Sequence, residues 1–293
     1  MSVDARAERC VLVTGGSSGI GLETARGLAS HFDVVGIVAR NPERLEKAAK
    51  DLASTAARIE TFQADFSSLA EVRRLARDIR AKFPSLSVLV NNAGVWHKDR
   101  TLSKDGYEDT FAVNHLAHFL LTTELEDLLV AGAPSRVVNV SSSMHLRPKS
   151  MNWDDLMFEK NWGGFKAYSH SKLANVLFSN ELARRWRRLG VTSNAVHPGN
   201  VRSRITRNNA FLNFLHRSPV ARLFILTEEA GAKMPIYVAT AAELDGVTGK
   251  YFVKSSKEAK PNPVSQDEAE GKRLWEVSQQ LVDAVSFAPA QRP

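Results

Sequence analysis

The tightest constraint on this chain lies in residues 10–30. An apolar run from Cys10 to Thr14 passes without a spacer into Thr14-Gly15-Gly16-Ser17-Ser18-Gly19-Ile20-Gly21, and a helix-period segment follows to about Ser30. A chain that turns this sharply from strand to helix needs residues tolerant of unusual backbone angles, which glycine supplies. The N–H groups opening the helix carry partial positive charge, and glycines let the backbone come close to a phosphate. Gly21 would also let the helix pack tightly on the strand. A plain turn would account for the glycines alone. The strand–turn–helix setting instead predicts a cradle for a dinucleotide pyrophosphate.

The rest of the chain continues the alternation. Strand-like runs at Val34 to Ala39, Ile59 to Gln63, Leu86 to Val90, Arg136 to Val140, Val191 to Val196 and Lys250 to Val253 are separated by helix-period segments. The helices read as Pro42 to Leu52, Ser68 to about Lys82, Asp109 to Leu129, Phe165 to Trp186 and Glu268 to Ala284. Buried β-branched strands alternating with helices predict an α/β fold. We expect a single-domain, Rossmann-type, doubly wound sheet of about seven mostly parallel strands, with helices on both faces. No Pro/Gly/Ser linker divides the chain, so one domain over residues 1–293 is expected.

Composition narrows the setting. One cysteine, Cys10, excludes an intrachain disulfide and a Cys-based zinc site. Charged or glycine residues interrupt every apolar stretch short of a membrane span, and nine residues before the first strand are too few for a leader or anchor. A cytoplasmic protein with no integral membrane segment is expected. The net charge of +7 could attract anionic ligands, membrane surfaces or nucleic acid. With no nucleic-acid motif beside it, we read the charge as a solvated surface and expect no nucleic-acid partner. His115 and His118 have ligand-like spacing, but no acidic or Cys residues cluster with them. We read them as helix packing or surface residues and expect no metal.

The end of the second strand bears on the cofactor. An acid there would bind a ribose 2′-hydroxyl, as in NAD enzymes, whereas this chain has Ala39 followed by Arg40. A guanidinium can pair bidentately with a 2′-phosphate, which favours NADP(H), although Arg40 alone could be a solvated strand-end residue. Asn91-Asn92-Ala93-Gly94 closes the fourth strand, where its small residues leave room for a ribose. Tyr168 and Lys172 stand four apart at the start of a long helix and so share one face. A neighbouring cation lowers a phenol pKa from about 10, bringing it closer to acid/base work. Ser141-Ser142-Ser143 ends the fifth strand, and a hydroxyl there can hydrogen-bond a substrate oxygen beside the phenol.

The spacing T-G-x-x-x-G-x-G, the N-N-A-G segment and the Tyr-x-x-x-Lys pair together resemble the short-chain dehydrogenase/reductase family. The resemblance runs in order from residue 14 to residue 203. It implies a catalytic set of Asn114, Ser142, Tyr168 and Lys172, with Asn114 holding a water in a proton relay. It implies cofactor contacts from Gly15, Ser17, Ser18, Gly19, Ile20 and Gly21 at the turn, and from Asn92, Ala93 and Gly94. Tyr168 and Lys172 are implied at the nicotinamide ribose. At the adenine it implies Asp65, accepting from the amino group, with Phe66 beside it; Asp65 could equally cap the following helix, as could Ser67 or Ser68. Pro198 and Gly199 are implied at the nicotinamide face, the Val201 backbone at its carboxamide, and Ser203 where the family often has threonine. Ser141 and Ser143 read as backbone-bonding turn residues.

Within the family, Val138 to His145 and Tyr168 to Asn175 look most like the retinol dehydrogenase branch. The reaction this implies is hydride exchange between NADP(H) and a carbonyl/alcohol pair. The alternative is an NADP(H)-sensing regulator on the same fold with no turnover. Residues 203–227 carry Phe211, Leu212, Phe214 and Leu215 and a second apolar run from Leu223 to Leu226. A lid over a lipophilic carbonyl or alcohol is the expectation, with packing on the domain, contact in a homo-oligomer, or shallow membrane attachment as alternatives.

Overall fold

The computed structural model describes residues 8–199, 201, 226–254 and 257–286. Among them, β1 (Cys10–Thr14), β2 (Val34–Ala39), β3 (Arg58–Gln63), β4 (Val88–Asn91), β5 (Ser135–Val140), β6 (Val191–Val196), β7 (Tyr251–Val253) and β8 (Lys257–Glu258) form one sheet. The order is β3-β2-β1-β4-β5-β6-β7-β8, parallel throughout except for the antiparallel β7–β8 pair. The doubly wound α/β expectation of about seven mostly parallel strands is therefore met, with β8 a short addition at the edge.

Every residue of β1 and of β2 is buried, because helices cover both faces. Side chains alternate along β1, so two cores form. Cys10 and Leu12 join one with α3 (Leu69–Lys82), α5 (Ala117–Glu124), α7 (Gly164–Trp186) and α9 (Glu268–Ser286). Val11 and Val13 join the other with α1 (Gly19–Leu28), α2 (Pro42–Leu52) and α8 (Glu228–Thr240). Local chemistry sets the helix starts. Asn41 accepts from the Arg44 N–H at 2.8 Å ahead of Pro42, and Ser68, not Asp65, caps α3 by accepting from the Glu71 N–H.

The expected helix from Asp109 to Leu129 is broken into pieces. An α-turn, α4 (Asp109–Phe111), leads into a π-helical stretch (Ala112–Leu116), then α5, and after Leu125 a short α6 (Glu126–Ala131). The π stretch carries Asn114, and such wide turns often sit at functional sites. Helix α8 was not anticipated, since Gly231 and the internal Pro235 depress helix propensity. Packing overrides them: the Ile236 side chain fills the space where a Cβ on Gly27 of α1 would stand, 2.3 Å away.

His115 and His118 are both buried, so the surface alternative does not hold for either. His115 sits among Phe111, Phe119 and Phe178 and pairs with Ser278 Oγ of α9 at 2.8 Å. Burial pushes both imidazoles down to about 3. The unfolded chain would take up these protons near pH 6.5 while the native state refuses them, so stability falls as pH drops below that value. At pH 5 each such histidine costs about 2 kcal/mol. Urea unfolding at pH 7.5 and pH 5.0 should show this loss, and His115→Gln should shrink the difference between the two by about 2 kcal/mol.

Candidate active site at the carboxyl edge of the sheet

Strands β2 and β3 lie on one side of β1, and β4, β5 and β6 on the other. The β1 and β4 carboxyl ends thus flank the crevice where open α/β sheets bind ligands. The turn after β1 holds Gly15 and Gly19 at φ +67° and +59°, the left-handed region. A Cβ on Gly21 would lie 2.3 Å from the Gly15 carbonyl oxygen and 2.5 Å from Asn92 Nδ2, so no side chain fits there. Ser18 makes no side-chain cap to α1, and the first turn of that helix carries no acid. Its opening N–H groups, with Ser17, Ser18 and Ile20 around them, are left to an anion. The cradle fits the pyrophosphate of a dinucleotide.

Thr14 fastens this turn to the end of β4. Its Oγ1 accepts from the Asn92 and Ala93 N–H groups at 2.8 and 2.9 Å, while Asn92 Nδ2 donates to the Thr14 carbonyl at 2.8 Å. Gly94 leaves space beside the catalytic candidates, since a Cβ there would come within 3.3 Å of Asn114 Oδ1 and 3.6 Å of Lys172 Nζ.

At the β2 end, the Arg40 side chain is 74% exposed and its Nη1 lies 4.0 Å from Asp65 Oδ1. Asp65 is engaged more than the sequence suggested. Burial pushes its carboxyl up, but the Ser67 N–H and the Lys104 ammonium, 3.2 Å from Oδ2, outweigh that and hold it below the usual range. Lys104 also pairs with Glu71 at 2.9 Å. No motif marks Lys104, which arrives from a distant loop. Phe66 turns its ring into the core, edge-on to His118 at 5.2 Å.

The four catalytic candidates come together. Ser142 caps a short 3-10 helix, Ser143–Leu146, by accepting from the Met144 N–H at 3.3 Å, and its hydroxyl lies near enough to the Tyr168 phenol to draw the phenol pKa down a little. Lys172 Nζ donates to the Val140 carbonyl at 3.2 Å and stands 5.6 Å from the Tyr168 ring centroid. Asn114 Nδ2 donates to Ser171 Oγ and to the Val95 carbonyl, both at 3.0 Å, and its Oδ1 accepts from the Val95 N–H at 2.7 Å. Ser141 donates to the Lys172 carbonyl at 2.8 Å, the backbone role expected of it.

One expectation is corrected. The Tyr168 phenol is not lowered by Lys172; burial pushes it up to about 12, against a smaller opposing pull from the Ser142 hydroxyl. Burial also pushes Lys172 down to about 8. Both groups are desolvated by the same packing, and desolvation disfavours their charged forms more than proximity favours them.

At the β6 end, Gly199 sits at φ +89° and Val201 bridges in parallel to Leu226, with Pro198 buried beside them. Ser203 and the expected lid up to residue 225 lie outside the described residues. Sequence reasoning missed two supports. His145 accepts from the Asn262 N–H at Nε2 and approaches the Ser142 carbonyl at 2.7 Å through Nδ1, bracing the serine loop. Trp96 and Phe165 pack at 5.2 Å, with Phe165 one helical turn before Tyr168 and 48% exposed. Only position could have revealed them: Trp96 follows Gly94 closely, and Phe165 shares a helix face with Tyr168. Among the described residues no group of three His, Cys, Asp or Glu side chains could hold a metal ion.

Comparison with known proteins agrees with this geometry. The short chain dehydrogenase family matches residues 9–210. The chain is 40% identical over 291 residues to the WW domain-containing oxidoreductase of Danio rerio, covering 96% of this chain and 70% of that protein. It is 39% identical over 282 residues to retinol dehydrogenase 13 of Mus musculus, covering 94% of this chain and 84% of that protein. Among solved structures, the NADP active-site complex of Pseudomonas aeruginosa RhlG superposes with a TM-score of 0.68 at 28% identity, covering 85% of this chain and 95% of that one. The chain therefore belongs to the short-chain dehydrogenase/reductase family and is an oxidoreductase that works with a nicotinamide cofactor.

Proposed function

We propose that the protein uses NADP(H) to exchange hydride with a lipophilic carbonyl/alcohol pair. The observation that carries this reading is the Tyr168 phenol, set beside Ser142 with its ring centroid 5.6 Å from Lys172 Nζ and its pKa raised by burial. Such a phenol keeps its proton at neutral pH and can give it to an oxygen that becomes an alkoxide. NADPH, when bound, supplies the hydride. Ser142 donates a hydrogen bond to the carbonyl oxygen as its negative charge grows, and Tyr168 delivers the proton there. Lys172, mostly charged at neutral pH with its pKa near 8, adds positive charge beside the phenol and would hold the nicotinamide ribose. Asn114 fixes the helix behind them through Ser171 and Val95.

The choice of NADP(H) over NAD(H) rests on Ala39, in the place of the acid that binds a ribose hydroxyl, and on the exposed guanidinium of Arg40 that follows it. RhlG, a relative in fold, was solved with NADP, which supports the same choice. The lipophilic substrate rests on the Trp96–Phe165 pair beside Tyr168 and on the likeness to retinol dehydrogenases. A cytosolic location follows from our reading of the composition; among the described residues no helix is long and apolar enough to cross a membrane, and cell fractionation tests the assignment.

Four measurements test the proposal. Tyr168→Phe should keep NADPH binding and lower turnover of an apolar aldehyde or ketone at least about a hundredfold; more than half the wild-type rate would remove Tyr168 from the mechanism. NADPH binding without oxidation by any member of a carbonyl panel would favour the sensing role instead. Arg40→Ala should weaken NADPH binding about tenfold or more and leave NADH nearly unchanged, read by cofactor fluorescence. Equal wild-type affinity for the two cofactors would overturn that assignment. The reductive kcat/KM should fall as pH rises through about 8, where Lys172 loses its charge; a flat profile from pH 7 to pH 9.5 would deny the ammonium a role.

A further inference from the structure

His118 is absorbed by none of the roles above, yet it is buried between three segments that the proposed function uses. Its Nε2 lies 2.9 Å from Thr14 Oγ1, at the head of the glycine-rich turn. Its Nδ1 lies 3.1 Å from the backbone carbonyl of Asn114, in the π-helical stretch. Its ring meets Phe66, beside Asp65, edge-on.

The hydrogens can be assigned from these partners. A carbonyl oxygen only accepts, so Nδ1 must carry the proton toward Asn114. In a neutral ring Nε2 then holds a lone pair, and the Thr14 hydroxyl must donate to it. The Thr14 oxygen keeps two lone pairs, and these accept the Asn92 and Ala93 N–H groups. Every hydrogen-bonding site of the Thr14 hydroxyl and of the imidazole is then used once. The longer 3.3 Å approach of Thr14 Oγ1 to the Val90 carbonyl is left as a secondary contact, because a hydroxyl has one proton. The opposite tautomer would set the Nδ1 lone pair against the Asn114 oxygen lone pairs. The depressed basicity of the buried ring, with the Lys172 ammonium nearby, is consistent with a neutral imidazole.

We propose that His118, as the neutral Nδ1–H tautomer, is a positioning residue that joins the two cofactor-binding loops to the helix turn carrying Asn114. One arm, Nε2 with Thr14, sets the register between the glycine-rich turn and Asn92-Ala93. The other arm, Nδ1 with the Asn114 carbonyl, orients the turn whose side chain braces Ser171, the neighbour of Lys172. The assignment of effects to catalysis rests on the proposed function; the hydrogen-bond chain itself does not.

Two half-mimics separate the arms. In His118→Asn the carboxamide nitrogen can stand in for Nδ1 and keep the Asn114 bond while giving up Thr14. In His118→Gln the longer side chain can present its oxygen to Thr14 and give up Asn114. The expected result is a split. His118→Asn should weaken NADPH binding, read by cofactor fluorescence, at least about fivefold. His118→Gln should hold NADPH within about twofold of wild type and lower kcat for carbonyl reduction at least about fivefold. Equal changes in both quantities in both variants, following their losses in Tm, or no change in either, would reduce His118 to a packing residue. The second measurement needs no variant to be active. Long-range ¹H–¹⁵N NMR of the ¹⁵N-histidine-labelled wild type at pH 7, with the His118 signals assigned by their loss in His118→Gln or, failing that variant's folding, by ring contacts to Phe66, should show the proton on Nδ1. A proton on Nε2 would overturn the chain outright. Failure of the wild type to bind NADPH would instead overturn the proposed function, while the tautomer would still decide the hydrogen-bond chain.

Discussion

The adjacency of β1 and β4 at the centre of the sheet governs this molecule, because two strands distant in sequence must end at the same level for a cofactor crevice to exist. Their ladder runs through Val11, Leu12 and Val13 against Val88, Leu89 and Val90. Beyond the ladder, where no further strand pairing is available, the Thr14 hydroxyl and the Asn92 carboxamide continue the connection. The same few atoms leave no room for a side chain on Gly21. The turn, the start of α1 and the end of β4 are thus a single packed unit, and a change in any of them is felt by the other two.

Burial, more than charge pairing, sets the acidity of the catalytic candidates Tyr168 and Lys172. Tyr168 and Lys172 share a helix face, as their spacing requires, yet the packing that brings them together buries Lys172 and leaves Tyr168 only partly exposed. The phenol becomes a weaker acid and the ammonium a stronger one, one near 12 and the other near 8. The two shifts have one origin, the desolvation of a charge, and together they leave a neutral phenol beside a cation at physiological pH. Behind this pair, Asn114, Ser171 and His145 work through hydrogen bonds to carbonyl, amide and hydroxyl partners.

Much of the fold was legible because its signals are local. Strand periodicity marked β1, β2, β5 and β6 to within a residue or so, and Asn41-Pro42 marked the start of α2. Helix α8 escaped, since Gly231 and Pro235 speak against a helix locally and only its packing against α1 overrules them. Asp109 to Leu129 read as one helix because hydrophobic periodicity does not distinguish an α-turn from a π-turn over five residues. Lys104, Trp96 and Asn262 carry no motif, and each enters its site from a loop whose path depends on the whole sheet.

The sequence by itself determined the alternation of strands and helices, the glycine turn, the spacing of Tyr168 to Lys172 and the absence of an acid after Ala39. Each of these is a property of neighbouring residues and survives in any window a few turns long. Only the tertiary structure decided which groups are desolvated and which hydrogen bonds close. It turned His118 from one of two unremarkable helix histidines into the point where Thr14, Phe66 and Asn114 meet, and it raised a phenol that the sequence expected to fall. The physical reason is the same in both cases: a proton's position depends on every dipole and every water within a few ångströms, and those neighbours come from segments far apart along the chain.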